Sequence, residues 1–281
     1  MKKKLLLIAI AAMALAGYGG NAQNNAQTAA QDNAASSQNA DYQFIDAKEK
    51  SFDGFTVYWL KDNKEDRKFP FDLFGEVSED VKKSINMPDG MPSSISAYLI
   101  KTNGKNLLFD SGLGQKAEGQ LLNELSKFGV LPEQIDYVYI THFHGDHIGG
   151  MLTPEGEKVF TNAEIYVARM EKESDLGKQD LAVKMFEQYG DKVHTFEFGD
   201  KLPEDILAID AVGHTPGHTV FQKGKLLIIG DLMHAKALQL PHPEYNANFD
   251  GDKEKAAASR KRILEYAKQN GLIISGMHLP Y

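Results

Sequence analysis

Thr141-His142-Phe143-His144-Gly145-Asp146-His147 puts three imidazoles and a carboxylate on one short stretch of chain. Just upstream, Tyr137-Val138-Tyr139-Ile140 is a β-branched and aromatic run that predicts a buried strand. In extended backbone, alternate side chains share a side, so His142, His144 and Asp146 point one way and His147 another. One loop can therefore offer two imidazoles to one metal, and a carboxylate plus an imidazole to a second. Ligands of this nitrogen and oxygen kind suit zinc first, then manganese, iron or cobalt. A low-complexity histidine tract would not follow a buried strand and end in Gly149-Gly150.

Other candidate ligands lie at predicted strand ends. Gly213-His214-Thr215-Pro216-Gly217-His218 sits between two strands, where its Gly and Pro residues set a tight loop able to present one imidazole. Gly230-Asp231 follows the apolar run Leu226 to Ile229, and Gly276-Met277-His278 follows the last strand. Taken alone, a strand-end His is more often a hydrogen-bonded structural residue, and a lone Asp more often a turn. Asp110, ending another strand, reads either as a turn residue or as a brace behind the metal loop.

With these motifs, the chain resembles the metallo-β-lactamase-fold hydrolases. Their pattern is a His-x-His-x-Asp-His loop, a later His, a bridging Asp and a final His. The resemblance runs from about residue 45 to the end. It implies an α/β fold of the four-layer αβ/βα sandwich type, with two divalent metal ions, zinc first, as cofactors. By it, His142, His144 and His218 hold the first metal, Asp146, His147 and His278 the second, and Asp231 bridges them. It also implies a metal-bridging hydroxide as nucleophile, oriented by Asp231, which could carry its proton away. Gly230-Asp231-Leu232-Met233-His234, Ala237 to Pro241 and Gly276-Met277-His278-Leu279-Pro280 are similar to the branch that contains methyl parathion hydrolase and related lactonases. Lactonase relatives often carry a Tyr where His234 stands. His234 is accordingly a candidate catalytic donor to the substrate oxygen or leaving group, or else a buried structural His. His214 is expected behind the ligands or in solvent, His242 near the pocket rim and His194 on the surface. Relatives of this branch usually continue for some tens of residues past the final His-Leu-Pro, where this chain stops at Tyr281.

The function expected is hydrolysis of a small ester, lactone or phosphotriester. A β-lactam hydrolase is one alternative, although its best-known metal sites use a Cys or a three-His variant. A non-catalytic zinc-binding surface protein is another, although binding alone needs no bridging carboxylate.

Alternating and periodic apolar residues predict the elements that carry these groups. Phe55 to Leu60 reads as a strand. Ile95 to Ile100 and Asn106 to Asp110 flank Asn103-Gly104, a hairpin signal because both turn residues tolerate positive φ. Leu121, Leu122, Leu125 and Phe128 predict an amphipathic helix over 116–128. Strands follow at 165–167, 193–198, 206–212, 219–222, 226–229 and 272–275, with helices over 169–189 and 252–269. Strands, helix and strand, repeated, suggest two βα halves packed sheet on sheet with helices outside. Phe69-Pro70-Phe71-Asp72-Leu73-Phe74 is too Pro-broken for a central strand. It could cap a site, pair two subunits into a homodimer, or pack on its own core.

Composition bounds the partners. The 281 residues are 42% hydrophobic and 25% charged, which suits a globular core. Lys2-Lys3-Lys4 and the apolar Leu5 to Ala16 read as a secretory signal over 1–22, too short for a membrane span. An Asn/Gln/Ala/Ser linker over 23–40 then leads to the hydrolase domain at 41–281. The signal is lipoprotein-like, but Tyr18 stands where the lipidated Cys would be, so a periplasmic or secreted protein is expected. The formal charge is −8, and removing residues 1–40 leaves 28 basic against 38 acidic residues. A surface so negative repels phosphate backbones, so a small-molecule substrate is expected and a nucleic acid is not. With no Cys there is neither a disulfide framework nor a thiolate ligand.

Overall fold

A computed structural model describes residues 42–281, and the signal and linker expected before Asp41 lie outside the described residues. The strands are β1 (Gln43–Phe44), β2 (Glu49–Phe52), β3 (Phe55–Lys61), β4 (Arg67–Phe69), β5 (Met91–Ser93), β6 (Ser96–Thr102), β7 (Lys105–Phe109), β8 (Tyr137–Tyr139), β9 (Glu164–Ala168), β10 (Val193–Phe196), β11 (Lys201–Leu202), β12 (Ile206–Asp210), β13 (Thr219–Lys223), β14 (Leu226–Ile228) and β15 (Ile273–Ser275). They form a six-stranded sheet in the order β1-β15-β14-β13-β12-β11 and a seven-stranded sheet in the order β10-β9-β8-β7-β6-β3-β2; β4 and β5 pair separately.

Side-chain alternation explains why the sheets stack. On β3, Val57 and Trp59 join Tyr98, Ile100, Leu107, Phe109 and Tyr139 in a cluster that also takes Phe221, Leu226 and Ile228 from the other sheet. Their neighbours Leu60, Leu99, Leu108 and Val138 turn the other way, onto Leu121, Leu125, Ala182 and Met185 of the outer helices. The six-stranded sheet repeats the pattern, with Val220, Leu227 and Ile274 packed on Ile263, Leu264 and Ala267 of the long helix Lys253–Asn270. Each sheet thus buries both faces, and the layers run helix, sheet, sheet, helix, as the resemblance implied. Among the described residues, no helix is long and apolar enough to cross a membrane.

The local outcomes have physical causes. The hairpin at Asn103-Gly104 forms as expected, with φ of 49° and 75°. The helix expected over 116–128 is confined to Leu121–Lys127, because Glu118 adopts φ 58° and Gly119 packs against the Asp62 carboxylate. The helix expected over 169–189 is broken into Arg169–Glu173, a turn at Leu176–Lys178 and Asp180–Tyr189. Gly177 lies so close to the Lys172 carbonyl that an added Cβ would come within 2.0 Å of it. Phe74 of the Phe69–Phe74 segment is buried with Val77, Met91 and Leu238, so this loop packs on its own small core.

Candidate metal centre

The centre lies where the two sheets end together. The Asp110 and 141–147 segments leave the C-terminal ends of β7 and β8, Asp231 and His278 follow β14 and β15, and the 213–218 loop feeds the start of β13. Thr219 N–H, at the head of β13, donates to the Thr141 carbonyl at 2.9 Å and ties one sheet to the other beside the site.

Two groups of donor atoms converge there, with a third that overlaps both. His142, His144, His214 and Asp231 form the first and Asp146, His147 and His278 the second; Asp231, His234 and His278 also lie close enough together to share an ion. His144 caps the short helix Gly145–Ile148 in extended conformation, so His142 and His144 share a side as the spacing predicted. Asp146 and His147 sit inside that helical turn instead, which swings both toward His278.

In the first group, His144 Nδ1 lies 3.0 Å from His142 Nε2 and 2.9 Å from His214 Nε2. The hydrogen bonds behind the rings fix where the protons are. Thr141 Oγ1–H donates to Asp110 at 2.7 Å, so it accepts from His142 Nδ1–H at 3.0 Å and leaves His142 Nε2 bare. His214 Nδ1–H donates to the Asp250 carboxylate at 2.8 Å, which leaves its Nε2 bare as well. A single proton on His144 could serve one of these lone pairs, whereas a cation at their focus serves all three. Tetrahedral zinc with Zn–N near 2.0–2.1 Å would need nitrogens about 3.3 Å apart, close to the spacing found. Burial pushes His142 well below the usual imidazole range, His144 down to about 4 and His214 downward, so all three stay neutral and available.

The second group has the same signature. His147 Nδ1–H donates to Asp110 and His278 Nδ1–H to the Ser94 carbonyl, both at 2.7 Å. Their Nε2 atoms then face carboxylate oxygens: His278 Nε2 lies 3.0 Å from Asp231 Oδ2, and His147 Nε2 lies 3.2 Å from Asp231 Oδ1. Asp146 stands 3.6 and 3.7 Å from the same two nitrogens. Such a contact is favourable when the ring takes up a second proton, toward which the carboxylates push both His147 and His278, or when a divalent cation takes that proton's place. His147 Nε2 and Asp231 Oδ1 are buried without any hydrogen-bond partner. The residues therefore fit divalent cations, and Asp231 reaches both groups. Burial alone would raise Asp231, but His147, His278 and His142 outweigh it and hold the carboxyl well below its ordinary range.

His218, expected as a ligand, is not brought into either group; His214 stands in its place. Both His218 nitrogens are spent, Nδ1–H donating to the Ala211 carbonyl and Nε2 accepting the Asp231 backbone N–H, each at 3.0 Å. Asp110 is the brace rather than a simple turn. Held at φ 59°, it accepts from Thr141 N–H as well as from Thr141 Oγ1–H and His147. His234 is buried beside Asp231, its Nε2 3.2 Å from Oδ2. His194 pairs with Glu164 on β10, and His242 faces Glu244 and Tyr245 away from the cluster.

Three charged residues at the site, Glu171, Asp250 and Arg260, gave no signal in the sequence. Glu171 is buried and accepts from Phe143 N–H at 2.9 Å and Gly217 N–H at 2.7 Å, joining the two loops that carry His142, His144 and His214. Arg260, fully buried on the long helix, donates to the carbonyls of Leu232, Pro243 and Tyr245 and to Asp250, the partner of His214. A groove of about 960 Å³ opens on Asp146, with Ile95, Leu113, Leu152 and Leu181 among its lining. Phe69 and Phe249 wall the other side, with ring centroids 5.8 Å from His278 and 5.0 Å from His234.

This architecture and donor set are those of a metal-dependent hydrolase, and the chain belongs to the metallo-beta-lactamase superfamily, whose model matches residues 90–278. Lactonases are among its relatives: N-acyl homoserine lactonase AiiA of Bacillus thuringiensis subsp. kurstaki is 27% identical over 221 residues, 68% of this chain and 81% of that protein. Exodeoxyribonuclease WalJ of Streptococcus pneumoniae is 35% identical over 124 residues, 43% of this chain and 41% of that one. Among solved structures, the hydrolase AbOPH of the beta lactamase superfamily matches with a TM-score of 0.72 at 25% identity, covering 85% of this chain and 92% of its own. AidC, a dizinc quorum-quenching lactonase crystallised with a product, shares the fold with a TM-score of 0.74 at 24% identity, over 83% and 90%.

Proposed function

We propose that this protein is a two-metal hydrolase of small lactones, with simple esters and phosphotriesters as related substrates. The observation that carries the reading is the set of buried imidazole nitrogens that converge on one another and on Asp231, which belongs to the first donor group and lies against the second. His142, His144 and His214 with Asp231 would hold one ion, and Asp146, His147 and His278 with Asp231 the other. Zinc is the ion their nitrogen and oxygen chemistry suits first. Divalent ions bound there would supply Lewis acidity toward a substrate oxygen and acidify water enough for it to attack at neutral pH.

The protein's own groups do the rest. Asp231, buried and reaching both donor groups, would orient the attacking water. Ile95, Leu113, Leu152 and Leu181 in the groove and the ring of Phe69 favour a substrate with an acyl or alkyl body. The lactonase relatives support a cyclic ester over the other candidates.

The test is metal content per chain on protein purified without chelator, for wild type and His278→Ala, followed by a panel of an N-acyl lactone, an aryl ester, a phosphotriester and a β-lactam. We expect two ions falling to about one, and fastest turnover of the lactone. Wild-type protein holding one ion or none would sink the two-metal reading. Full metal with turnover of the β-lactam alone would sink the substrate class.

A further inference from the structure

Histidines at this centre can be sorted by what the nitrogen remote from the cluster does. A ligating imidazole keeps its proton on the far nitrogen and gives it to an acceptor. His142 gives it to Thr141 Oγ1, His147 to Asp110, His214 to Asp250 and His278 to the Ser94 carbonyl. Among the buried rings, His234 breaks the rule. Its Nε2 faces Asp231 Oδ2 at 3.2 Å, but its Nδ1 is buried with no partner at all.

Two tautomers are open to it. With the proton on Nδ1, a buried N–H has no acceptor and a bare Nε2 presses on a carboxylate oxygen; both are unfavourable. With the proton on Nε2, the same contact becomes an N–H···O hydrogen bond, and the only debit is a bare Nδ1 acceptor. Missing acceptor partners are better tolerated in protein interiors than missing donor partners. We infer that His234 carries its proton on Nε2 and gives it to Asp231 Oδ2, acting as a positioning residue for the shared carboxylate. It is then neither a metal ligand nor the donor to substrate that its sequence position suggested.

The surroundings hold the ring for that task. Gln239, buried, accepts from the backbone N–H groups of His234 and Ala235 at 2.7 and 3.1 Å, and its own amide donates to the Tyr245 carbonyl at 2.9 Å. This accounts for Gln239 in the Ala237 to Pro241 stretch singled out in the sequence. The His234 ring stacks on His278 with an interplanar angle of 20° and rests against Phe249. Packed on both sides, its ring plane is held toward Asp231. A hydrogen bond from this side engages Asp231 Oδ2, whereas Oδ1 faces His147 Nε2, so the two oxygens of the shared carboxylate become inequivalent.

The inference rests on the reading of the cluster as a metal centre, and the two can fail separately. Long-range ¹H–¹⁵N correlation spectra of ¹⁵N-histidine protein loaded with zinc read each tautomer directly, with His234 assigned by its loss in His234→Gln. We expect a protonated Nε2 and a bare Nδ1 for His234, opposite to His142, His147, His214 and His278. A protonated Nδ1 with a zinc-shifted Nε2 would overturn the inference. As a second arm, zinc affinity is measured for His234→Phe, which keeps a ring without a donor, and for His234→Gln, whose amide N–H can replace the donor. His234→Phe should still bind two ions, about 10- to 100-fold more weakly, and His234→Gln should recover most of that loss. Outright loss of one ion in both variants, or no change in either, would also overturn it. Wild type without zinc would refute the centre itself, and the spectrum of that protein would still report the His234 tautomer.

Discussion

His214 and His218 lie four residues apart in one loop, and the geometry gives them opposite duties, so their alanine variants should fail in opposite ways. His218→Ala removes the donor to the Ala211 carbonyl and the acceptor of the Asp231 N–H, both inside the protein. Each orphaned group costs about 1–3 kcal/mol, and the void left by the ring adds to this. The expected loss in metal-free protein is therefore about 3–6 kcal/mol, a large part of the roughly 5–15 kcal/mol of a typical domain. His214→Ala removes the charge-assisted bond to Asp250, which keeps Ala247 N–H at 3.0 Å and Arg260 at 3.3 Å, and the contact with His144 Nδ1, whose proton can turn to His142 Nε2 at 3.0 Å instead. Its cost in the metal-free state should be about 1.5–3 kcal/mol. The first donor group, however, drops from four residues to three. Urea denaturation of chelator-treated protein, paired with metal analysis of untreated protein, separates the two effects. His218→Ala should have the lower midpoint and keep both ions so long as it folds, and His218→Gln provides a milder version if it does not. His214→Ala should denature closer to wild type and hold about one ion. The reverse pattern, with metal lost in His218→Ala and kept in His214→Ala, would refute the tautomer reasoning and restore His218 as the ligand.

Two further outcomes follow from the same geometry. Burial lowers His144 to about 4 and His218 to about 3, so between those values and about 6.5 the unfolded chain binds more protons than the folded one. Their contribution to stability, on the order of 3 to 5 kcal/mol each, is complete above pH 6.5 and is lost as the pH falls. His147 and His278 are raised and stay protonated in both states below 6.5, so they do not offset it. The urea midpoint of metal-free protein should drop between pH 7 and pH 4.5, and a flat profile would contradict the burial assigned to these rings. Glu171→Gln keeps the shape but turns an amide NH₂ toward either the Phe143 or the Gly217 N–H. A loss of about 2–5 kcal/mol in the metal-free state is expected, together with weaker binding of the first ion. A change under about 0.5 kcal/mol would show that Glu171 does not brace these loops.

The parts of this architecture that were readable from sequence are those whose cause is local. Alternation on Val57-Tyr58-Trp59-Leu60 and on Leu107-Leu108-Phe109 specifies which face meets which layer, and positive φ at Asn103-Gly104 specifies the hairpin between β6 and β7. His142, His144, Asp146 and His147 announce themselves because one loop carries all four. Where cause is tertiary, the sequence is silent or misleading. The charged residues over 169–189 read as a solvated helix, yet Glu171 is buried, because two backbone N–H groups from loops more than 25 positions away on either side meet it. Arg260 is similar. A guanidinium on a polar helix reads as exposed, and only the carbonyls left by the 232–245 turn make its burial favourable.

The choice between His214 and His218 shows the limit most sharply. Both are histidines in a Gly- and Pro-rich loop at a strand end, so type, spacing and local backbone do not separate them. What separates them is which nitrogen has already been spent. His218 exhausts both of its nitrogens on Ala211 and Asp231, within its own sheet, before any ion could reach it. His214 spends one on Asp250, whose carboxylate is fixed in turn by a buried arginine ten residues further along. The identity of a ligand at this centre is thus decided by groups that never touch the metal, and it becomes visible only when the second hydrogen bond of every imidazole has been followed to its end.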